Sequence, residues 1–111
     1  MFEINLTKKA QNQFEKLKKA AGQHTSGKSQ KSSKQEGLFK QIKKTINFLS
    51  IDPRHPGLKT HRYCSMDHPW DKQGKVFEAY VQNNTASAYR IFWCYGPKPK
   101  EITIIAIIPH P

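Results

Sequence analysis

Two apolar segments lie close together in residues 89–108, which read YRIFWCYGPKPKEITIIAII. Residues 89–95 and 101–108 are rich in β-branched and aromatic side chains, a composition typical of β-strands. Gly96 and Pro97 lie between the two segments and indicate a turn, so the strands are predicted to form an antiparallel pair. The second segment is apolar on both faces, which predicts a central strand covered by helices. Its isoleucines are Ile102, Ile104, Ile105, Ile107 and Ile108.

Two more strands are predicted on either side of a helical region. Residues 76–82 read as a strand that ends at the turn signal formed by Asn83, Asn84 and Thr85. Residues 2–6 alternate apolar and polar side chains, the period of a half-buried strand. Thr7 follows as a candidate N-cap, so a helix is predicted to begin at Lys8.

The helical region contains two amphipathic segments. The first has apolar residues at helical spacing: Ala10, Phe14, Leu17 and Ala21. The second has a matching stripe and is predicted to end before Asp52 and Pro53; the stripe is Leu38, Ile42, Ile46 and Leu49. The predicted fold class is therefore α+β, in the order β-α-α-β-β-β, with a mostly antiparallel sheet packed against a helical hairpin.

Residues 22–37 separate the two helical segments and have a different composition. This stretch mixes serine with lysine and has no large apolar residue that could anchor it, which predicts a mobile basic tether inside the helical hairpin. The total length of 111 residues suits one compact domain, so residues 1–111 are interpreted as a single domain.

The charge of the chain narrows the choice of partner. Nineteen Lys and Arg against eight Asp and Glu give a formal net charge of +11, which favours a polyanionic partner such as nucleic acid or an acidic protein. No apolar run approaches the roughly 20 residues that cross a bilayer, so no membrane partner is expected. The first residues lack the pattern of a signal peptide, and Cys64 and Cys94 form no disulfide framework, so a cytoplasmic location with reduced thiols is predicted.

Three features together resemble the RelE/ParE toxin superfamily. They are residues 52–59, which read DPRHPGLK, residues 88–93, which read AYRIFW, and the isoleucine-rich final strand that leads to His110. The Tyr89-Arg90 pair is the sharpest local match, because it is similar to the family's signature on the penultimate strand. The resemblance covers nearly the whole chain except the tether.

The resemblance implies a biological role. RelE-like members are ribosome-dependent ribonucleases that cut messenger RNA, ParE-like members poison gyrase, and most are neutralised by an acidic antitoxin. The chain is therefore expected to be a RelE-like toxin of a type II toxin-antitoxin system, acting as a metal-independent endoribonuclease (mRNA interferase) that binds RNA, inhibits translation and needs no cofactor. The alternatives are a non-catalytic module that binds nucleic acid or antitoxin, and a ParE-like gyrase poison.

The resemblance also implies catalytic residues. Arg90 matches the family arginine that holds phosphate, His110 lies where the family has a basic residue or histidine, and His55 resembles the loop histidine of some RNA-cutting members. Histidine exchanges protons near neutral pH, and arginine can grip two phosphate oxygens, so these residue types suit RNA cleavage. In the alternative interpretation His110 is simply exposed and Arg90 pairs with Glu78 across the hairpin.

Further basic residues are expected to bind the RNA backbone: Lys40, Lys43, Lys44, Lys59, His61 and Arg62. Several RelE-like ribonucleases have lysines on the second strand, whereas this chain has Phe77, Glu78 and Ala79, which argues against a lysine-driven mechanism. His61, Cys64 and His68 have a spacing that could hold zinc, but three ligands without a fourth are weak support, so no metal site is predicted.

Overall fold

The structure, a computed structural model, describes residues 1–22, 34–82 and 87–110. Its strands are β1 (Glu3–Leu6), β2 (His61–Arg62), β3 (Phe77–Tyr80), β4 (Tyr89–Tyr95) and β5 (Glu101–Pro109), and its helices are α1 (Lys8–Gly22), α2 (Lys34–Ile51) and a short 3-10 helix (Pro56–Leu58). The predicted turn at residues 83–85 lies outside the described residues.

The five strands form one sheet in the order β1-β5-β4-β3-β2. β1 runs parallel to β5, and the other neighbouring pairs are antiparallel. The predicted α+β class and the mostly antiparallel sheet are therefore confirmed. The sequence interpretation missed β2, because a strand of two residues is too short to show an alternating pattern.

The start of α1 follows from its N-cap. The hydroxyl oxygen of Thr7 accepts a hydrogen bond from the backbone N–H of Ala10 at 3.1 Å, as predicted for this residue. The same hydroxyl donates to the carbonyl oxygen of Ile105 at 3.0 Å, which ties the helix to β5. Farther along α1, the side-chain oxygen of Gln13 accepts the backbone N–H of Ile107 at 2.7 Å, in the part of β5 that extends beyond its pairing with β1.

The predicted tether overlaps the ends of both helices in the structure. Gly22 belongs to α1, and Lys34 to Gly37 belong to α2, so both ends of the 22–37 stretch are helical. A helix can extend past its apolar stripe when the extra residues have adequate helix propensity, as Lys34, Gln35 and Glu36 do. The remainder of the tether lies outside the described residues, and its mobility stays a prediction.

The apolar core occupies both faces of the sheet. The face covered by α1 and α2, called here the helix side, buries Ala10, Ile42, Leu49, Leu58, Ala79, Ile91, Trp93, Ile102, Ile104 and Ile107. The opposite face, called the open side, has a smaller apolar cluster of Val76, Phe92, Cys94, Ile105 and Ala106, against which Tyr63 and Met66 pack.

A bulge at Ile105 interrupts the alternation of side chains along β5. Phe92 pairs with Ala106 and Trp93 pairs with Ile104, so Ile105 is an extra residue between two registered pairs. The extra residue reverses the alternation of the strand. Ile104 and Ile107 therefore both pack in the helix-side core although they are an odd number of residues apart.

Candidate functional site

A buried carboxylate lies at the centre of the polar residues on the open side. Glu78 lies on β3 with only 1% of its surface exposed. Its Oε1 is 2.7 Å from Nε2 of His61, and its Oε2 is 2.6 Å from Nδ1 of His110. Since a carboxylate only accepts hydrogen bonds, each histidine is the donor when Glu78 is ionised. Both histidine side chains are 48% exposed, so they connect a buried charge to the solvent.

The two histidines differ in their second ring nitrogen. Nδ1 of His61 lies 3.1 Å from the carbonyl oxygen of Lys59, which is another acceptor. Both hydrogen bonds of His61 are therefore made only when both of its nitrogens carry hydrogen. Nε2 of His110 has no hydrogen-bond partner among the described residues, and it is the nitrogen that can exchange a proton with a ligand.

The sheet places these residues side by side. His61 on β2 is the registered partner of Glu78 on β3. The backbone N–H of His110 donates to the carbonyl oxygen of Ala88 at 2.8 Å, which holds the residue after β5 against the start of β4. Arg90 on β4 is the registered partner of Tyr80, two residues after Glu78 and on the same face.

Arg90 is held rigidly beside the carboxylate. Its Nη1 donates to the carbonyl oxygens of Gln82 at 2.6 Å and Tyr89 at 3.0 Å. The guanidinium carbon lies 3.7 Å from the ring centroid of Tyr80, a cation–π contact. Its Nε is 3.8 Å from Oε2 of Glu78 and is buried without a hydrogen-bond partner in the described residues. The guanidinium is therefore fixed in place with donor capacity left over.

Together these residues form the Glu78 cluster: Glu78, His61, Tyr80, Arg90 and His110. The pairing of Arg90 with Glu78, one of the two interpretations of Arg90 from the sequence, is present as an ion pair at 3.8 Å. It does not exclude a role in binding, because Arg90 and two histidines share one carboxylate. With either histidine protonated, the cluster has excess positive charge, which favours an anionic ligand.

His55 lies apart from the contacts of the Glu78 cluster. Its ring stacks on Phe48 at 4.5 Å, and its Nδ1 accepts the backbone N–H of Gly57 at 2.9 Å, which caps the 3-10 helix. Residue 59 follows in a left-handed conformation with φ of 49°. This turn directs Lys59 toward the cluster, with its Nζ 5.7 Å from the ring centroid of Tyr80. A catalytic role for His55 stays a prediction.

The other predicted RNA-binding residues are exposed. Arg62 lies on β2 next to His61, and Lys40, Lys43 and Lys44 lie along α2. Of the three helix lysines, Lys44 lines a small cavity together with Tyr80, which places it beside the cluster.

Sequence reasoning missed the central role of Glu78. It noted this residue only as a departure from the family pattern and as a possible partner of Arg90. An acidic residue between Phe77 and Ala79 in a strand was the available signal, because a carboxylate is rarely buried without partners. The residues weighed for zinc do not converge: His61 bonds Glu78, whereas Nδ1 of His68 accepts backbone N–H groups of Trp70 and Asp71. Within the described ranges no three His, Cys, Asp or Glu side chains are arranged to hold a metal ion.

Comparison with known proteins identifies the fold. No protein-family model and no curated protein match the sequence. The YoeB/ParE toxin from Agrobacterium tumefaciens is similar in structure, with a TM-score of 0.60 at 12% identity, over 99% of this chain and 100% of that chain. The chain has the RelE/ParE toxin fold.

Two complexes also contain this RelE/ParE fold. The archaeal RelE-RelB complex from Pyrococcus horikoshii OT3 matches with a TM-score of 0.58 at 13% identity, over 97% of this chain and 93% of that chain. The intact E. coli RelBE toxin-antitoxin complex matches with a TM-score of 0.56 at 12% identity, over 100% and 99% of the two chains. None of the helices in the described part of the chain is long and apolar enough to cross a membrane.

Proposed function

We propose that this chain is the toxin of a type II toxin-antitoxin system and that it cleaves RNA at the Glu78 cluster without a metal ion. The observation that carries the proposal is the buried carboxylate of Glu78, bonded at 2.6 Å to His110 and flanked by Arg90; the other ring nitrogen of His110 has no partner within the described part of the chain. The RelE/ParE fold supports the assignment, because toxins are among the proteins that share it.

The reaction that fits the cluster is internal transesterification of RNA. The Nε2 atom of His110 takes the proton of a 2′-hydroxyl, the 2′-oxygen attacks the adjacent phosphorus, and the bond from phosphorus to the 5′-oxygen of the next nucleotide breaks. Water supplies the proton to the leaving oxygen, and the products end in a 2′,3′-cyclic phosphate and a 5′-hydroxyl. Glu78 orients His110 and stabilises the imidazolium that forms, as an acidic residue does in a catalytic triad.

The positive groups of the cluster suit the charge that develops in this reaction. The attacked phosphorus passes through a phosphorane with additional negative charge, and fixed donors close to it lower the barrier. Carbonyl groups hold Nη1 of Arg90, and the ring of Tyr80 lies against its guanidinium, so this fixed positive charge needs little rearrangement to act on a phosphate beside it. His61, when both of its ring nitrogens carry hydrogen, adds a positive charge on the other side of Glu78.

The surrounding basic surface is proposed to hold the RNA backbone. Lys59, His61 and Arg62 are proposed to contact phosphates beside the cluster, and Lys40, Lys43 and Lys44 to contact phosphates along α2, including those of messenger RNA on the ribosome. His55 is proposed to contact RNA on this surface rather than to act as the catalytic base.

An acidic antitoxin is the proposed protein partner. The net charge of +11 favours an acidic binding partner, and structures with the same fold are complexes with RelB. Such a partner would neutralise the toxin in the cytoplasm, where both its RNA substrate and its antitoxin are made.

The proposal is tested by comparing purified wild-type protein with Arg90→Lys on an RNA oligonucleotide and by mapping 5′ ends of transcripts after induction. Lysine keeps the charge but lacks the planar fork of donors, so cleavage is expected to fall by at least about 100-fold. Lys98→Ala, which removes an exposed charge in the β4–β5 turn, is the control and should cut like wild type.

Cleavage by the wild type with 5′-hydroxyl ends, lost in Arg90→Lys, is the supporting result. RNA binding without new ends would overturn the ribonuclease proposal in favour of a non-catalytic binder. Inhibition of DNA supercoiling without RNA cleavage would favour a gyrase poison instead.

A further inference from the structure

A second concave site lies around the edge of the sheet from the Glu78 cluster. It is a cavity of about 350 Å³, called here the aromatic cavity, and Phe77, Trp93 and Tyr95 form one wall. These residues lie on the face of β3 and β4 that also carries Ala79 and Ile91, which is the helix side. A volume of this order suits a small planar ligand.

The aromatic wall offers a stacking surface. Phe77 stacks on Trp93 with centroids 4.9 Å apart, and Tyr95 meets Trp93 edge-on at 5.0 Å. Tyr95 is 42% exposed, an unusually open position for a large aromatic ring in this chain. The indole Nε1 of Trp93 is buried and has no hydrogen-bond acceptor within the described residues. A planar ligand would therefore find the exposed ring of Tyr95 in this wall, in direct contact with Trp93.

The rim of the aromatic cavity is positively charged. Arg54, Lys59 and His61 line it, and no acidic side chain does so among the residues described. Lys59 and His61 also contact Tyr80 and Glu78, respectively, so the cavity and the Glu78 cluster meet around the short strand β2. The combination of an aromatic wall, a cationic rim and continuity with a phosphate-suited cluster matches a nucleotide better than an apolar ligand or a cation.

We propose that the aromatic cavity is a nucleobase subsite. The base of one nucleotide of the bound RNA enters the cavity and stacks on Tyr95, while Arg54 and Lys59 contact its phosphate. The proposal deepens the proposed function and rests on it, because it assigns the base-binding part of the same RNA site.

The test is a titration of the whole protein followed by the indole N–H signals of its tryptophans in nuclear magnetic resonance spectra. The probes are adenosine 5′-monophosphate, uridine 5′-monophosphate and, as a ligand without a base, ribose 5-phosphate. The chain has two tryptophans, and the Trp70→Ala variant assigns the two signals. The nucleotides are expected to shift the Trp93 signal, and ribose 5-phosphate is expected to leave it in place.

Tyr95→Ala removes the exposed stacking ring and is expected to weaken nucleotide binding by about tenfold or more, as loss of a base–aromatic contact does. Trp70 is 50% exposed and lies outside the wall of the cavity, so Trp70→Ala is the matched control and should bind like wild type. Circular dichroism of both variants checks that they are folded.

Three results would overturn the subsite: no movement of the Trp93 signal with either nucleotide, an equal shift with ribose 5-phosphate, or equal binding by Tyr95→Ala and Trp70→Ala. The readout is independent of cleavage. Failure here with intact RNA cutting would reject the subsite alone, whereas nucleotide-specific shifts in a protein that does not cut RNA would reject the ribonuclease and keep the subsite.

Discussion

The two faces of the sheet bury very different groups at neighbouring positions. Ala79 and Glu78 are adjacent on β3 and are 0% and 1% exposed, yet one faces the apolar helix-side core and the other faces two histidines and an arginine. Burial of a methyl group stabilises the fold directly, whereas burial of a carboxylate is tolerated only with compensating partners. The buried core of the helix side thus stabilises the fold, and the polar part of the open side is the proposed site of RNA cleavage.

The largest effect is expected on the rate of RNA cleavage, when a residue of the Glu78 cluster on the open side is replaced. His110→Ala removes the free Nε2 and should lower the rate of RNA cleavage by about 100-fold to 10,000-fold, the usual contribution of a proton-transfer group. Because this substitution also removes a hydrogen-bond partner from the buried Glu78, the free energy of unfolding should fall by about 1–3 kcal/mol, with His61 and Arg90 remaining as partners. Cleavage kinetics together with urea denaturation measure both quantities.

His55→Ala provides the comparison for that variant. His55 contacts Phe48 and Gly57 rather than Glu78, so its loss is expected to reduce the cleavage rate much less. If His55→Ala is the more damaging of the two, the catalytic base lies on the 52–59 segment, and the role given to His110 is wrong.

The next largest effect is expected on the free energy of unfolding, when a buried residue of the helix side is replaced. Ile91 is fully buried there, and Ile91→Ala should lower the free energy of unfolding by about 2–5 kcal/mol through lost burial and a residual cavity. Ile108 on β5 is only partly buried against the open-side cluster, so Ile108→Ala should cost less than half as much. If urea denaturation shows equal losses in the free energy of unfolding for the two variants, the two faces do not differ in their contribution to stability.

A smaller effect is expected on the pH dependence of stability, through the apolar cluster on the open side. Burial of the Cys94 thiol raises its pKa from 9.0 to about 11. Above pH 9 the thiol ionises in the unfolded chain while the folded chain keeps its proton, so the free energy of unfolding should fall as the pH rises from 9 to 11. The contribution is at most about 3 kcal/mol.

Cys94→Ala should lose this part of the pH dependence, and Cys64→Ser, at the exposed cysteine, should retain it. Denaturation curves at several pH values compare the variants. A parallel pH dependence in wild type and Cys94→Ala would mean that the thiol is not shielded from water.

The smallest expected effect concerns the helix layer, which carries lysines but no part of the Glu78 cluster. Lys44→Gln should reduce the log-log salt slope of single-stranded RNA binding by about 0.7, the value for one phosphate contact. Lys44 lines a cavity together with Tyr80, so it should matter more than Lys40 does. Equal slopes for wild type and Lys44→Gln in binding assays at several salt concentrations would place the RNA path away from α2.

Much of the fold was predictable because it depends on local patterns. The aromatic and β-branched composition of residues 89–95 predicted β4 with the correct bounds, and Thr7 predicted the start of α1. The bulge at Ile105 was not predictable, since a segment that is apolar on both faces has no alternation to interrupt. β2 was missed because its pairing with β3 depends on a long loop that brings His61 back to Glu78.

The residue types of the candidate site were predictable from the sequence, but the contacts between those residues were not. Arg90, His61 and His110 were all singled out from the sequence, but their common link is Glu78, which is reached from three different strands or strand ends. Sequence spacing does not indicate such a meeting point. For the same reason the sequence did not distinguish His55 from the histidines that contact Glu78. The stacking of His55 on Phe48 is visible only in the structure.

The parallel pairing of β1 with β5 has a consequence for how the protein is made. Glu3 pairs with Glu101, so the first strand must wait for the last before the sheet can close. The Glu78 cluster depends on the same late event, because His110 follows β5. Glu78 and Arg90 are therefore synthesised before the residue that completes the cluster, and the cluster forms only once the last strand has joined the sheet.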